Sequence, residues 1–321
     1  MKMALGRLAS ICLLGAILSY SGAALVACTS THDCLKAPKR SELTLIQDSV
    51  VIPENISTLA VSSTIHRLKV ERGVDPQGKL LLDNPNNPKT GEKEFTLKTE
   101  TTDSRLTAKV ENLSDPTKLD HAMLNDLTLT IVLPARFSGK LEGHTVSADI
   151  EIPELAIATC RFQTVSGHFR ATKLACAETN LSTTSGDFTV DSLTGTTLGG
   201  RSVSGEFSFN HARLETSAEL QSVSGDIEVT FDGIPASKAS CGSVSGDCIF
   251  TLPANPVADV ALRSISGTIT TKHPVLSTLR GTVRNEHELK GSFESTTPTA
   301  AGTTARPSIE GQTTSGDIEL R

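Results

Sequence analysis

The sequence predicts an all-β protein: a single-stranded β-solenoid of about 20 residues per coil, preceded by an irregular β-strand leader. Three observations predict it. A short phrase recurs, as "TVSGHF" from Thr164, "TTSGDF" from Thr183, "SVSGEF" from Ser202, "SVSGDI" from Ser222, "SVSGDC" from Ser243, "SISGTI" from Ser264 and "TTSGDI" from Thr313. Its glycines, Gly167, Gly186, Gly205, Gly225, Gly246 and Gly267, are 19, 19, 20, 21 and 21 residues apart, with Gly316 later and Ala148 in the same place 19 before Gly167. Around each glycine, apolar and polar residues alternate with the period of a strand buried on one face.

With the glycine as a marker, the columns are regular. Two residues before it stand Val146, Val165, Thr184, Val203, Val223, Val244, Ile265 and Thr314. Two after it stand Ile150, Phe169, Phe188, Phe207, Ile227, Cys248, Ile269 and Ile318. Alternation assigns both columns, and the marker itself, to the interior, with the glycine at a bend or bulge where a side chain would not fit. A further inward column lies five before the marker: Phe162, Leu181, Gly200, Leu220, Cys241 and Leu262. The remaining columns are expected to face out: Ser or Thr three before, serine one before and mostly acid one after. No such strand can bury its face alone. Stacked parallel coils about 4.8 Å apart turn the columns into ladders, with Phe169, Phe188 and Phe207 as a ring stack. The serines one before the marker thus read as a hydroxyl ladder.

In chain order, residues 1–27 read as a secretory signal peptide, with Lys2 and Arg7 ahead of an apolar run. It ends in Leu25-Val26-Ala27-Cys28, which resembles the bacterial lipobox and implies lipidation of Cys28; Thr29 after it implies sorting to the outer membrane. Residues 28–45 form a polar tether. Residues 46–135 hold strand-like runs such as "STLAVSS", "HRLKVER" and "LTLTIVLP", with a turn-rich insertion at 83–93, and form the N-terminal β region. Residues 136–321 are the solenoid, interrupted by a loop at about 294–307; "KGSF" at 290–293 reads as a worn rung. The last rung, ending at Arg321, is expected to leave an open edge blunted by Asp317, Glu319 and Arg321.

Composition narrows the function. The chain carries 30 basic and 36 acidic residues; without Lys2 and Arg7 the balance is 28 against 36, or −8. No broad attraction for nucleic acid follows. Trp is absent and the single Tyr, Tyr20, lies in the signal peptide, so sugar or base stacking has few rings to use. The histidines show no metal spacing, and no cofactor is expected.

Candidate chemistry concentrates on the outward columns. The binding face comprises Ser185, Asp187, Ser204, Glu206, Ser224, Asp226, Ser245 and Asp247. "GSVSG" at 242–246 is one residue too long for a nucleophile elbow, so the serines are not read as catalytic. Asp187, Glu206, Asp226 and Asp247 would stack about 5 Å apart, where calcium could relieve their repulsion. A solvated, screened acidic face is preferred, because no calcium nonapeptide is present. After processing, Cys34, Cys160, Cys176, Cys241 and Cys248 remain. Inward columns favour buried unpaired thiols, with Cys160–Cys176 as the first pair to test.

A lipobox, a leader ending in "LTIVLP" and serial "SVSGDIEV" rungs together resemble a bacterial β-strand-repeat family, domain of unknown function 4097, which carries an adhesin label. The resemblance spans roughly residues 45–321 and implies a β-solenoid on an envelope protein, with no catalytic residues to carry over. The expected function is a non-enzymatic adhesion, binding or scaffold module, anchored to the outer membrane through Cys28, facing the periplasm or the surface, and contacting an envelope protein or surface ligand. The alternative is a periplasm-facing envelope-stress or signalling partner; a solenoid polysaccharide hydrolase ranks third.

Overall fold

The computed structural model describes residues 45–64, 66–85, 95–113, 127–272, 279–284, 286–293 and 306–321. The expected signal peptide and tether, with Cys28 and Cys34, most of the turn-rich insertion and most of the 294–307 loop lie outside the described residues. The fold is an all-β solenoid.

Its strands are β1 (Leu45–Ile52), β2 (Thr58–Ser63), β3 (Arg67–Arg72), β4 (Gly78–Pro85), β5 (Phe95–Thr102), β6 (Arg105–Asn112), β7 (Thr128–Leu133) and β8 (Lys140–Thr145). Four long strands follow: β9 (Asp149–Thr164), β10 (Phe169–Thr183), β11 (Phe188–Arg201) and β12 (Phe207–Gln221). Then come β13 (Ile227–Gly233), β14 (Lys238–Ser243), β15 (Cys248–Thr251), β16 (Ala258–Ser264), β17 (Ile269–Thr271), β18 (Leu279–Arg284), β19 (Glu288–Phe293), β20 (Ser308–Thr313) and β21 (Ile318–Leu320).

Each coil has three short faces. Along β9 the buried positions are Ile150 and Ile152, then Leu155 and Ile157, then Cys160, Phe162 and Thr164, with the parity shifting at 153–154 and 158–159. β10 shifts at the equivalent places, 172–173 and 177–178. The marker turn makes the third corner. We name the faces A (after the marker), B (middle) and C (before the next marker). The long strands pair parallel in register: Ile150, Phe169, Phe188, Phe207, Ile227 and Cys248 are successive partners on face A. The expected ring stack is present and longer, with centroids 5.0 Å apart for Phe162–Phe169, 5.2 Å for Phe169–Phe188 and 5.5 Å for Phe188–Phe207.

The columns five before and two after the marker meet across the interior. A Cβ on Gly200 would stand 3.1 Å from the Phe207 ring; within the five-before column itself, one on Gly143 would stand 2.6 Å from the Phe162 ring of the adjacent coil. In the Gly246 coil, the same two places hold Cys241 and Cys248, which are joined as a disulfide with Cα atoms 6.3 Å apart. Cys160 on face C of β9 is joined to Cys176 on face B of β10, Cα–Cα 6.1 Å. The expectation of buried unpaired thiols is therefore corrected. Alternation showed that all four point inward, but not that different walls bring them together.

Coil order departs from chain order at both ends. β20 lies between β14 and β16, parallel to both, and β21 lies between β15 and β17. The Gly316 coil is thus inserted between those of Gly246 and Gly267. This corrects the expectation that the last rung ends the stack: Glu319 is covered by Arg321 at 3.0 Å and Lys272 at 2.6 Å rather than left at an edge. The link from β15 to β16 contains Pro253 and Pro256, which cannot donate to a ladder, and it climbs two coils. At the other end β2 lies between β6 and β8, and β3 lies between β7 and β9, all parallel. Much of the leader is therefore solenoid rather than irregular. Beyond these coils the pairings turn antiparallel, β1–β4–β7 and β5–β6 at one end, β16–β19–β18 at the other. "KGSF" belongs to β19, an antiparallel cap and not a worn rung.

Each marker glycine is required by close approach. A Cβ on Gly205 would fall onto the carbonyl of Gly186, and one on Gly225 onto that of Gly205. Gly205→Ala is expected to lower stability by about 3 kcal/mol, since backbone rather than a rotamer must yield; an unchanged melting temperature would refute this packing. Alkylation of denatured, unreduced protein is expected to spare Cys160, Cys176, Cys241 and Cys248, and peptide mapping after reduction should find all four modified. A label on any of them without reductant would contradict the pairing.

Candidate functional site

The marker corner inverts part of the expected pattern. The hydroxyls three before the marker are buried, not outward: Thr164, Thr183, Ser202, Ser222, Ser243, Ser264 and Thr313 are at most 7% exposed. In six coils the hydroxyl oxygen accepts the marker N–H, for example Gly205 to Ser202 at 2.7 Å and Gly225 to Ser222 at 2.8 Å. A local side-chain acceptor folds the turn tightly and satisfies a buried donor. The inversion also turns the next column outward. Val146, Val165, Val203, Val223 and Val244 are 45–48% exposed, and Ile265 is 63% exposed. Strict alternation assigned them to the core, but two consecutive outward residues sit at this corner, as at the other two.

The sequence-predicted binding residues do share this corner. Ser185, Ser204, Ser224 and Ser245 are exposed, Glu206 and Asp226 are exposed, and Asp187 and Asp247 are half-buried. The acids, however, have a structural task. Asp187 Oδ1 accepts the backbone N–H of Glu206 at 3.0 Å, Asp226 that of Asp247 at 2.8 Å, and Asp247 that of Asp317 at 2.7 Å. Asp149 and Asp317 do the same for His168 and Thr268. One oxygen of each aspartate therefore caps the neighbouring coil. Among the described residues, no three His, Cys, Asp or Glu side chains converge as metal ligands. In this column the aspartates bind backbone donors of the neighbouring coil. His168, an exception in this column, has Nδ1 3.2 Å from Asp187 Oδ2.

Sequence reasoning missed face C. Its outward positions lie six and four before the marker: Arg161, Asn180, Gly199 and Glu219 in one column, and Gln163, Ser182, Arg201 and Gln221 in the other. Together these eight line a shallow cavity of about 390 Å³. A second cavity of about 390 Å³ adjoins it, shares Gln221, and includes Lys238, Arg263, Lys290, Glu288 and Glu310. Extending the columns outward on either side of the inward Phe162–Leu181–Gly200–Leu220 series would have found them. Further along, Glu142 is buried on this face; burial pushes its carboxyl up, but hydrogen bonds from Lys140 at 2.6 Å and Arg105 at 2.6 Å outweigh that and hold it below the usual carboxylate range.

A family model described as Toastrack DUF4097 matches residues 88–272, more than half of the chain, and the chain belongs to that family. Solved structures of three proteins resemble it. A proposed adhesin from Bacteroides fragilis is 13% identical, with 88% of this chain and 99% of that chain covered, at a TM-score of 0.48. A proposed cell adhesion protein from Clostridium sporogenes is 13% identical, with 86% and 99% covered, at 0.26. A proposed adhesin from Parabacteroides distasonis is 10% identical, with 87% and 97% covered, at 0.44. No curated protein matches the chain.

The two serine columns should behave differently. Ser222→Ala strands the Gly225 N–H and is expected to cost about 1–3 kcal/mol, whereas Ser224→Ala on the outer corner should stay within about 0.5 kcal/mol. Chemical denaturation of both variants checks this, and equal losses would refute the division of roles.

Proposed function

We propose that the chain is a non-enzymatic binding module of the bacterial envelope, held by lipid at Cys28, that grips an extended partner along the marker corner. The observation that carries this reading is the line of half-exposed Val and Ile side chains, repeated on coils about 4.8 Å apart. β-Branched residues stiffen the turn, but leaving six Val and Ile side chains in water along one column, interrupted only by Thr184 and Thr314, favours a partner that covers them. The adjacent serines and acids supply hydrogen-bonding groups at the same spacing. Such a contact is multivalent: each coil adds little, and the rigid stack adds the increments without an ordering cost.

The outer-membrane location, on either face, and the adhesive role belong to this proposal. Protease treatment of intact cells tests them together with attachment assays on Val203→Asp/Val223→Asp. Removal of the rod from intact cells and a several-fold loss of attachment by the folded variant are expected. Protection of the rod until the outer membrane is breached would favour the periplasmic signalling-partner reading, and full attachment by the variant would discard the corner as the contact.

A further inference from the structure

We propose that face C binds an acidic polysaccharide, seating the carboxylate of a uronate-type sugar between Arg161 and Arg201. The inference is independent of the marker corner, which lies on a different part of the coil.

The chain is acidic overall, with a formal net charge of −6, yet this face is locally cationic. In the first cavity Arg161 and Arg201 outnumber Glu219 by one charge. In the adjoining cavity Lys238, Arg263 and Lys290 outnumber Glu288 and Glu310 by one. There the lysines are engaged, Lys238 with Glu310 at 3.0 Å and Lys290 with Glu288 at 2.8 Å. Arg161 and Arg201 are exposed and have no hydrogen-bond or ion-pair partner among the described residues. They stand two coils apart, about 10 Å along the rod.

Between them the floor is lowered. Gly199 faces outward, and a Cβ there would stand 2.9 Å from Asn180 Oδ1. Gly200 faces inward, where Phe207 and Leu220 occupy the space a side chain would need. The Gly-Gly pair therefore opens the wall outside while it accommodates the ring stack inside.

The chemistry of the lining selects the ligand. A guanidinium offers paired donors that match a carboxylate. Asn180, Gln163, Gln221 and Ser182 are neutral groups that both donate and accept, as sugar hydroxyls require. Glu219 only accepts when ionised: it suits a hydroxyl and repels a second anion beside the first. A hydroxyl-rich ligand with one negative charge per sugar fits this set, and a densely charged polyphosphate does not. The two cavities adjoin along the rod axis, which suits an extended polymer. With no aromatic ring in either lining, binding rests on charge and hydrogen bonds and should weaken with salt.

The test is calorimetric titration of the full mature chain with oligogalacturonate, with dextran, polyglutamate and polyphosphate as competitors of other chemistry. Oligogalacturonate should bind and dextran should not. Arg161→Ala and Arg201→Ala should each lower affinity about tenfold, as expected for a lost charge-assisted contact. Gly199→Leu, which fills the floor, should weaken binding as well, while the folded Val203→Asp/Val223→Asp chain should bind as the parent does. Absence of oligogalacturonate binding, equal affinity in the arginine variants, or preference for polyglutamate or polyphosphate would each overturn the proposal.

Discussion

Every part of this rod depends on one close approach: the carbonyl of each marker residue occupies the space where the next marker's Cβ would stand. Only glycine permits that contact, and the contact sets the tightness of the corner. The tight corner in turn creates a buried N–H, which the hydroxyl three residues earlier accepts. It also forces two consecutive residues outward, so the exposed valines and serines follow from the turn. On the far side of the corner the aspartates cap the next coil. The repeated Ser/Thr-x-Ser-Gly-Asp pattern is thus a folding unit first, and its outward remainder is what a partner can touch.

Inside the corner, stability comes from matching pairs. Phe162 faces Phe169 and lies against the space left by Gly143; Phe207 fills the space left by Gly200. Large and small residues trade places from coil to coil while the wall spacing holds, as close packing demands. The Cys241–Cys248 bond uses the same paired positions, and Cys160–Cys176 ties face C of one coil to face B of the next. Bonds of this kind form and persist in oxidising compartments.

The surface divides into two kinds of contact. The marker corner is convex, regular and partly apolar, and it suits avidity along a line. Face C is shallow, polar and irregular, because outward positions there escape the demands of the turn. That freedom lets Arg161, Gly199 and Arg201 differ from their neighbours, and difference between coils is what a selective site needs. On the two proposals made above, a scaffold holding both surfaces in fixed relation would engage two ligands without reorganising.

The period near 20, the strand phase and the ring ladder were legible in the sequence, because each is a local rule repeated many times. The wall of inward residues from Phe162 to Leu262 was legible for the same reason. Three things were decided only by tertiary structure. Valine and serine exchanged sides at the corner, because a hydrogen bond to a buried glycine N–H outweighs simple alternation. The cysteines paired, because walls that are separate in sequence phase converge in the narrow interior. The last coil moved inside the stack: the 21-residue spacing from Gly246 to Gly267 equals that from Gly225 to Gly246, although the former spans two coils and the latter one. Spacing counts residues along the chain, whereas the gap that β20 and β21 fill is set by backbone hydrogen bonds between strands far apart in sequence.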